Sequence, residues 1–279
     1  MSPLAAASHP APATAPGQSL GRTILTALCA YTAAFLLTTL LHELAHAVVG
    51  KLLGTMPVLY NSHVDGRNEQ VPAATTLAVA LAGPLFSLLQ GAVLLALARR
   101  DRGSGFGSLT LLFLAVFGLI NFLGYVMTSP FVPYGDLGKA VVLLGLPQWA
   151  ALVAAVVSAA LLAWVIRGTG PLFLRFVPAA AQPVLAERGR YVRGLLLWPW
   201  LLGSIIITAL AWPLPTLLSL IYPPMSSMVL GAAWGGAMRA ATSPQAATAP
   251  LLPRQLGLAL GALLVTAAVF WGLRWGVAL

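Results

Sequence analysis

Six apolar runs of about twenty residues each, near positions 24–49, 73–98, 109–127, 149–166, 195–221 and 256–275, constrain this chain more than anything else in it. A run of that length crosses the hydrocarbon core as a helix, because in lipid only hydrogen bonds within the segment can satisfy its backbone. The count predicts an all-α membrane protein, a polytopic bundle of about six transmembrane helices. Composition points the same way. Of 279 residues, 59% are hydrophobic and 8% charged, whereas a soluble domain carries about 25% charged residues to cover its surface. Most of the tryptophans, among them Trp149, Trp164, Trp198 and Trp275, fall near the ends of the runs, where an amphipathic ring prefers the headgroup level.

The fifteen Lys and Arg against six Asp and Glu give a net charge of +9. No basic cluster alternates with aromatics on a soluble segment, so nucleic acid is excluded as a partner. The excess belongs to loops beside anionic lipid, and the bilayer is the expected partner. With six spans and the N-terminus inside, ten of these cations fall on the cytoplasmic side, which predicts a multi-pass protein with both termini in the cytoplasm. The single cysteine, Cys29, lies inside an apolar run and excludes an internal disulfide. Residues 1–20 are rich in Ala, Pro and Ser and read as a disordered tail. Residues 21–147 then hold three spans and residues 148–279 three more.

The first run contains His42-Glu43-Leu44-Ala45-His46. Ionisable groups at membrane depth cost about 2.5–3.5 kcal/mol each on insertion scales and mark function by default. On a helix, positions i and i+4 share a face, so both imidazoles reach one metal while the glutamate stands beside the remaining positions. Zinc takes such nitrogens at about 2.0–2.1 Å and, in hydrolases, keeps one position for water. Two His leave such a centre one protein ligand short, and His63, Asp65, Glu69 and Asp136 are the candidates. Asp136 is favoured. It follows the Pro- and Gly-rich segment Pro130-Phe131-Val132-Pro133-Tyr134-Gly135, which closes the third span on the side where the first span ends. Irregular backbone at that depth is tolerated where it lines a cavity. The competing use of Asp136 is as a helix N-cap.

Three other features carry weaker signals. Asn121, in the middle of the third span, reads as an interhelical hydrogen-bonding group. Gly83-Pro84 in the second either kinks that helix or permits close packing. Between the first two spans, residues 56–67 place β-favouring residues before Asp65-Gly66, a turn signal for a short β-hairpin whose free edge could hold an unwound peptide.

Taken together, His42-Glu43-Leu44-Ala45-His46, Ala82-Gly83-Pro84, and Asn121 followed by Pro130, Pro133 and Gly135-Asp136-Leu137-Gly138 resemble the site-2 protease family of zinc-dependent intramembrane metalloproteases. The resemblance covers the first half of the chain. It implies a three-helix metalloprotease core in which His42, His46 and Asp136 hold Zn2+, Glu43 activates water and Asn121 helps to position the substrate backbone. The substrates it implies are membrane proteins bearing a transmembrane helix. The last three spans, broken at Trp198-Pro199-Trp200 and Trp212-Pro213-Leu214-Pro215, read as a candidate substrate gate. The alternative function is a membrane transporter or metal-permeating protein that uses the His and acid cluster as a transit site.

Overall fold

The computed structural model describes residues 16–66, 71–212, 214, 217–243 and 250–279. Ten α-helices and one small sheet are found among them. Helix α1 (Pro16–Leu52) is followed by strands β1 (Pro57–Leu59) and β2 (Val64–Gly66), then α2 (Ala73–Arg100), α3 (Phe106–Thr128) and the short α4 (Asp136–Leu143). Next come α5 (Gln148–Phe173), α6 (Leu185–Leu195), α7 (Leu197–Leu210), α8 (Leu217–Ser227), α9 (Leu230–Arg239), α10 (Leu256–Gly272) and β3 (Val277–Ala278). Six helical segments are long and apolar enough to cross a membrane: α1, α2, α3, α5, the consecutive pair α6 and α7, and α10. Residues 1–15 of the expected tail lie outside the described residues, and residues 16–20 belong to α1, with Pro16 at the start of the helix, where its missing N–H costs nothing.

Helix α3 is the axis of the bundle, with α1, α2 and α5 packed around it. Tyr31 and Phe35 of α1 meet Phe113 and Phe117 of α3 edge-on, with centroids 5.1–5.6 Å apart. Between α2 and α3 the close packing is made by glycine. A Cβ at Gly118 would lie 2.6 Å from the backbone nitrogen of Gly91, and one at Gly91 would lie 2.6 Å from that of Leu119. In lipid, where apolar burial does not drive helices together, such close backbone approach supplies the attraction. It also sets Ser87, one turn before Gly91, and Asn121, one turn after Gly118, at the level of His42.

Two expectations about the chain path are corrected. The fifth apolar run is not one helix. Helix α7 ends at Leu210, α8 begins at Leu217, and the chain then returns through the broken pair α8 and α9. Tyr222 of α8 lies beside Phe35, Ser227 takes the hydroxyl of Tyr31, and the end of α9 is held by Arg188, which donates to the carbonyl of Ala240 at 2.8 Å. The sequence between α7 and α8 is itself apolar and Pro-rich, so hydropathy does not register the break, while the three arginines of α6 hide that helix.

That extra passage changes where the chain ends. Helix α10 starts beside the α2–α3 turn, where Leu252 N–H donates to the carbonyl of Ser104. It finishes at the opposite end of the bundle, where β3 pairs with β1, just after α1. The described ends of the chain therefore lie on opposite faces, not on one. The hairpin is present but differently folded: Asp65 and Gly66 sit within β2, and the reversal is made by residues 60–63, closed by Tyr60 N–H to the carbonyl of His63 at 2.9 Å. The order is β2-β1-β3, so β2 forms one edge of the sheet.

Candidate metal centre

The two histidines stand one turn apart on the buried face of α1, His42 2% and His46 5% exposed. Each is fixed through its Nδ1. His46 Nδ1 lies 2.6 Å from the carbonyl of Val79, which only accepts, so this nitrogen carries the proton and the neutral ring keeps its Nε2 lone pair. His42 Nδ1 lies 3.0 Å from Ser87 Oγ, and donating to that hydroxyl gives it the same tautomer.

Asp136 arrives from the other direction. The segment after α3 turns through Val132 and Pro133, and α4 packs so closely on it that a Cβ at Gly138 would fall on the Val132 carbonyl. Asp136 is the first residue of α4, and Gly135 occupies the cap position without a side-chain cap bond. The carboxylate is thereby free of the capping role and turns to the histidines. Its Oδ2 lies 3.1 Å from His42 Nε2 and 3.3 Å from His46 Nε2, and the two imidazole nitrogens are 3.1 Å apart.

Three lone-pair atoms so close repel one another unless a cation or proton sits among them. Donors bound to one tetrahedral ion at about 2.0–2.1 Å stand ~3.3–3.4 Å apart, so this triangle has nearly the size of one coordination face. His42, His46 and Asp136 thus form a group that could hold a metal ion. Space for it is made by α2: a Cβ at Gly83 would lie 2.7 Å from His42 Nε2 and closer still to His46 Nε2. Of the two readings of Gly83-Pro84, close packing accounts for the glycine.

A cavity of about 360 Å³ opens above the group, within the roughly 300–1,000 Å³ typical of ligand sites. Glu43, His46, Asp136 and Tyr125 face it from below, β2 and the start of α2 wall one side, and Lys139 stands on α4. Glu43 is 7% exposed. His63 and Asp65 line this cavity and pair with each other at 3.7 Å, apart from the three-donor group. Glu69 lies outside the described residues.

Asn121 does not face the cavity. It lies behind His42, its Nδ2 3.4 Å from His42 Nδ1 and its Oδ1 accepting from the Tyr222 hydroxyl at 3.2 Å. Its place is behind the ring, between His42 and Tyr222. Tyr125, one turn further along α3, was not singled out by sequence. Its ring stacks on His42 with centroids 5.1 Å apart and planes 9° from parallel, and its side chain lines the cavity beside Asp136. The only signal for it was its i+4 spacing from Asn121 on the same helical face.

No protein-family model matches this chain, and no match is found among curated proteins or solved structures. The resemblance to site-2 proteases therefore rests on the motifs themselves.

Proposed function

We propose that this chain is a zinc-dependent intramembrane endopeptidase that hydrolyses peptide bonds in or near the transmembrane helices of other proteins. The observation that carries the reading is the convergence of two imidazoles and a carboxylate at 3.1–3.3 Å beneath a cavity that also contains a buried glutamate. Zinc held by His42, His46 and Asp136 would supply Lewis acidity, polarising a carbonyl and lowering the pKa of water toward about 7. Glu43, on the same helix face and open to the cavity, takes the proton of that water on its carboxylate and returns it to the leaving amine nitrogen. Ser87 and the Val79 carbonyl hold the rings so that Nε2 of each would stay directed at the ion.

A substrate helix must unwind to bring a carbonyl to the centre, since its backbone groups are tied up in i to i−4 hydrogen bonds. The β2 edge can accept such a strand, because Val64, Asp65 and Gly66 line the cavity. The broken crossing α8 reaches the back of the centre through Tyr222 and Asn121 and is the element suited to gate it. A transit site would need polar stations through the bundle. Among the described residues, Asp101 and Glu187 stand far from the centre, each beside an arginine, Arg175 and Arg190.

The test is cleavage of a panel of transmembrane-helix fusion proteins by purified chain in lipid nanodiscs. Glu43→Gln is expected to keep its metal and lose activity by about 10²–10⁴-fold. Unimpaired cleavage by that variant, or metal flux in proteoliposomes without cleavage, overturns the proposal.

A further inference from the structure

The corrected path of the chain separates its cations more sharply than six crossings would. At the face where α1 begins lie Arg22, the Arg99, Arg100 and Arg102 group of the α2–α3 turn, and Arg167 and Arg175 at the end of α5. Arg188, Arg190 and Arg193 of α6, with Arg239 and Arg254 on either side of the α9–α10 connection, lie at the same face. At the opposite face, where the cavity opens, the described residues carry Lys51, Lys139 and Arg274, and Arg67 falls outside the described residues. Two of the arginines at the first face are structural clamps: Arg175 donates to the Asp101 carbonyl, and Arg188 to the carbonyls of Gln182 and Ala240. Without them nine remain among the described residues, against three.

Lys and Arg within about 15–20 residues of span ends set the orientation of a membrane protein, and the richer side stays in the cytoplasm. The anionic inner leaflet adds about 1 kcal/mol of attraction per cation near its surface. We infer that the arginine-rich face is cytoplasmic and that the metal centre opens on the extracytoplasmic side. This rests on the proposed function for its consequence, which concerns the substrate class: the bonds within reach are those near the outer boundary of a substrate's transmembrane helix. This chain would thus present its three donors to the extracytoplasmic compartment. It would also carry its N-terminal helix start inside and β3 outside.

The test is cysteine accessibility in intact cells, with the buried native Cys29 as a silent background. Tyr134→Cys, at the cavity, and Leu144→Cys, after α4, report the cavity face. Val184→Cys and Thr242→Cys report the arginine face. All four positions are exposed. A membrane-impermeant maleimide is expected to label the first two in intact cells and the second two only after permeabilisation, when all four react. Labelling of Val184→Cys and Thr242→Cys in intact cells, or equal labelling of both pairs, overturns the inference. The readout needs neither metal nor cleavage, so it fails independently of the protease reading.

Discussion

Replacing Gly83 by alanine tests whether the centre is built to receive an ion. The added methyl would lie 2.7 Å from His42 Nε2 and closer still to His46 Nε2. Ordinary contact between such atoms begins near 3.5 Å, so the His42 ring must retreat by ~0.8 Å. Metal–ligand distances tolerate only about ±0.2 Å, and the displacement is roughly four times that. The strain itself is of the order of 1–3 kcal/mol, which a bundle of this size survives. Gly83→Ala is therefore expected to fold, with helical content unchanged in detergent, and to purify without bound zinc. The control is Gly170→Ala in α5, whose methyl strikes the α9 backbone at the Ala233 carbonyl, and which should lose stability while the folded fraction keeps its metal. Metal content per folded protein, by elemental analysis alongside circular dichroism, separates the two. A Gly83→Ala protein with one zinc per chain would refute the idea that this glycine clears the coordination space.

Tyr125→Leu removes the ring that stacks on His42; zinc affinity in a chelator competition should fall by about 10–100-fold, as for other groups that orient ligands, while helical content stays constant. Deleting residues 276–279 removes β3 from β1, including the Leu279 N–H bond to the Pro57 carbonyl, and should raise amide hydrogen exchange in residues 57–66 without changing exchange in α3. At the arginine face, burial pushes the Asp101 carboxyl up, but the Gly103 N–H, the Ser108 hydroxyl and Arg175 outweigh it and the net direction is downward. A depressed carboxyl contributes stability above its unfolded pKa of about 3.9 and loses it as pH falls through the lower folded value. Asp101→Asn should therefore lower thermal stability at pH 7, by about 1 kcal/mol for a partly exposed pair, with the deficit shrinking below pH 4; a deficit independent of pH would remove the charge from the explanation.

What could be read from residues alone follows the strength of each physical signal. The long helices were legible because lipid leaves a backbone no alternative, and the His42–His46 pair because helical periodicity fixes which side chains share a face. Asp136 could be reached by combining an irregular segment with the parity of crossings. The passage through α8 and α9 could not, since the sequence between α7 and α8 is as apolar as the helices on either side. The missed passage displaced the C-terminus to the wrong face and hid the β1–β3 pairing. Asp65-Gly66 has the composition of a turn, yet backbone pairing with Val58 and Pro57 of β1 draws it into β2, and the reversal moves to residues 60–63. Tyr125 and Ser87 carry no local signature because their roles arise from two helices brought together by Gly91 and Gly118.

The ligand set is open to direct observation by zinc K-edge X-ray absorption on the purified protein. One zinc per chain, with two imidazole nitrogens and oxygen donors at about 2.0–2.2 Å, and loss of that signature in Asp136→Ala, is the expected result. A protein that takes up no stoichiometric zinc, or an Asp136→Ala spectrum identical to the parent's, would contradict the coordination of one ion by His42, His46 and Asp136.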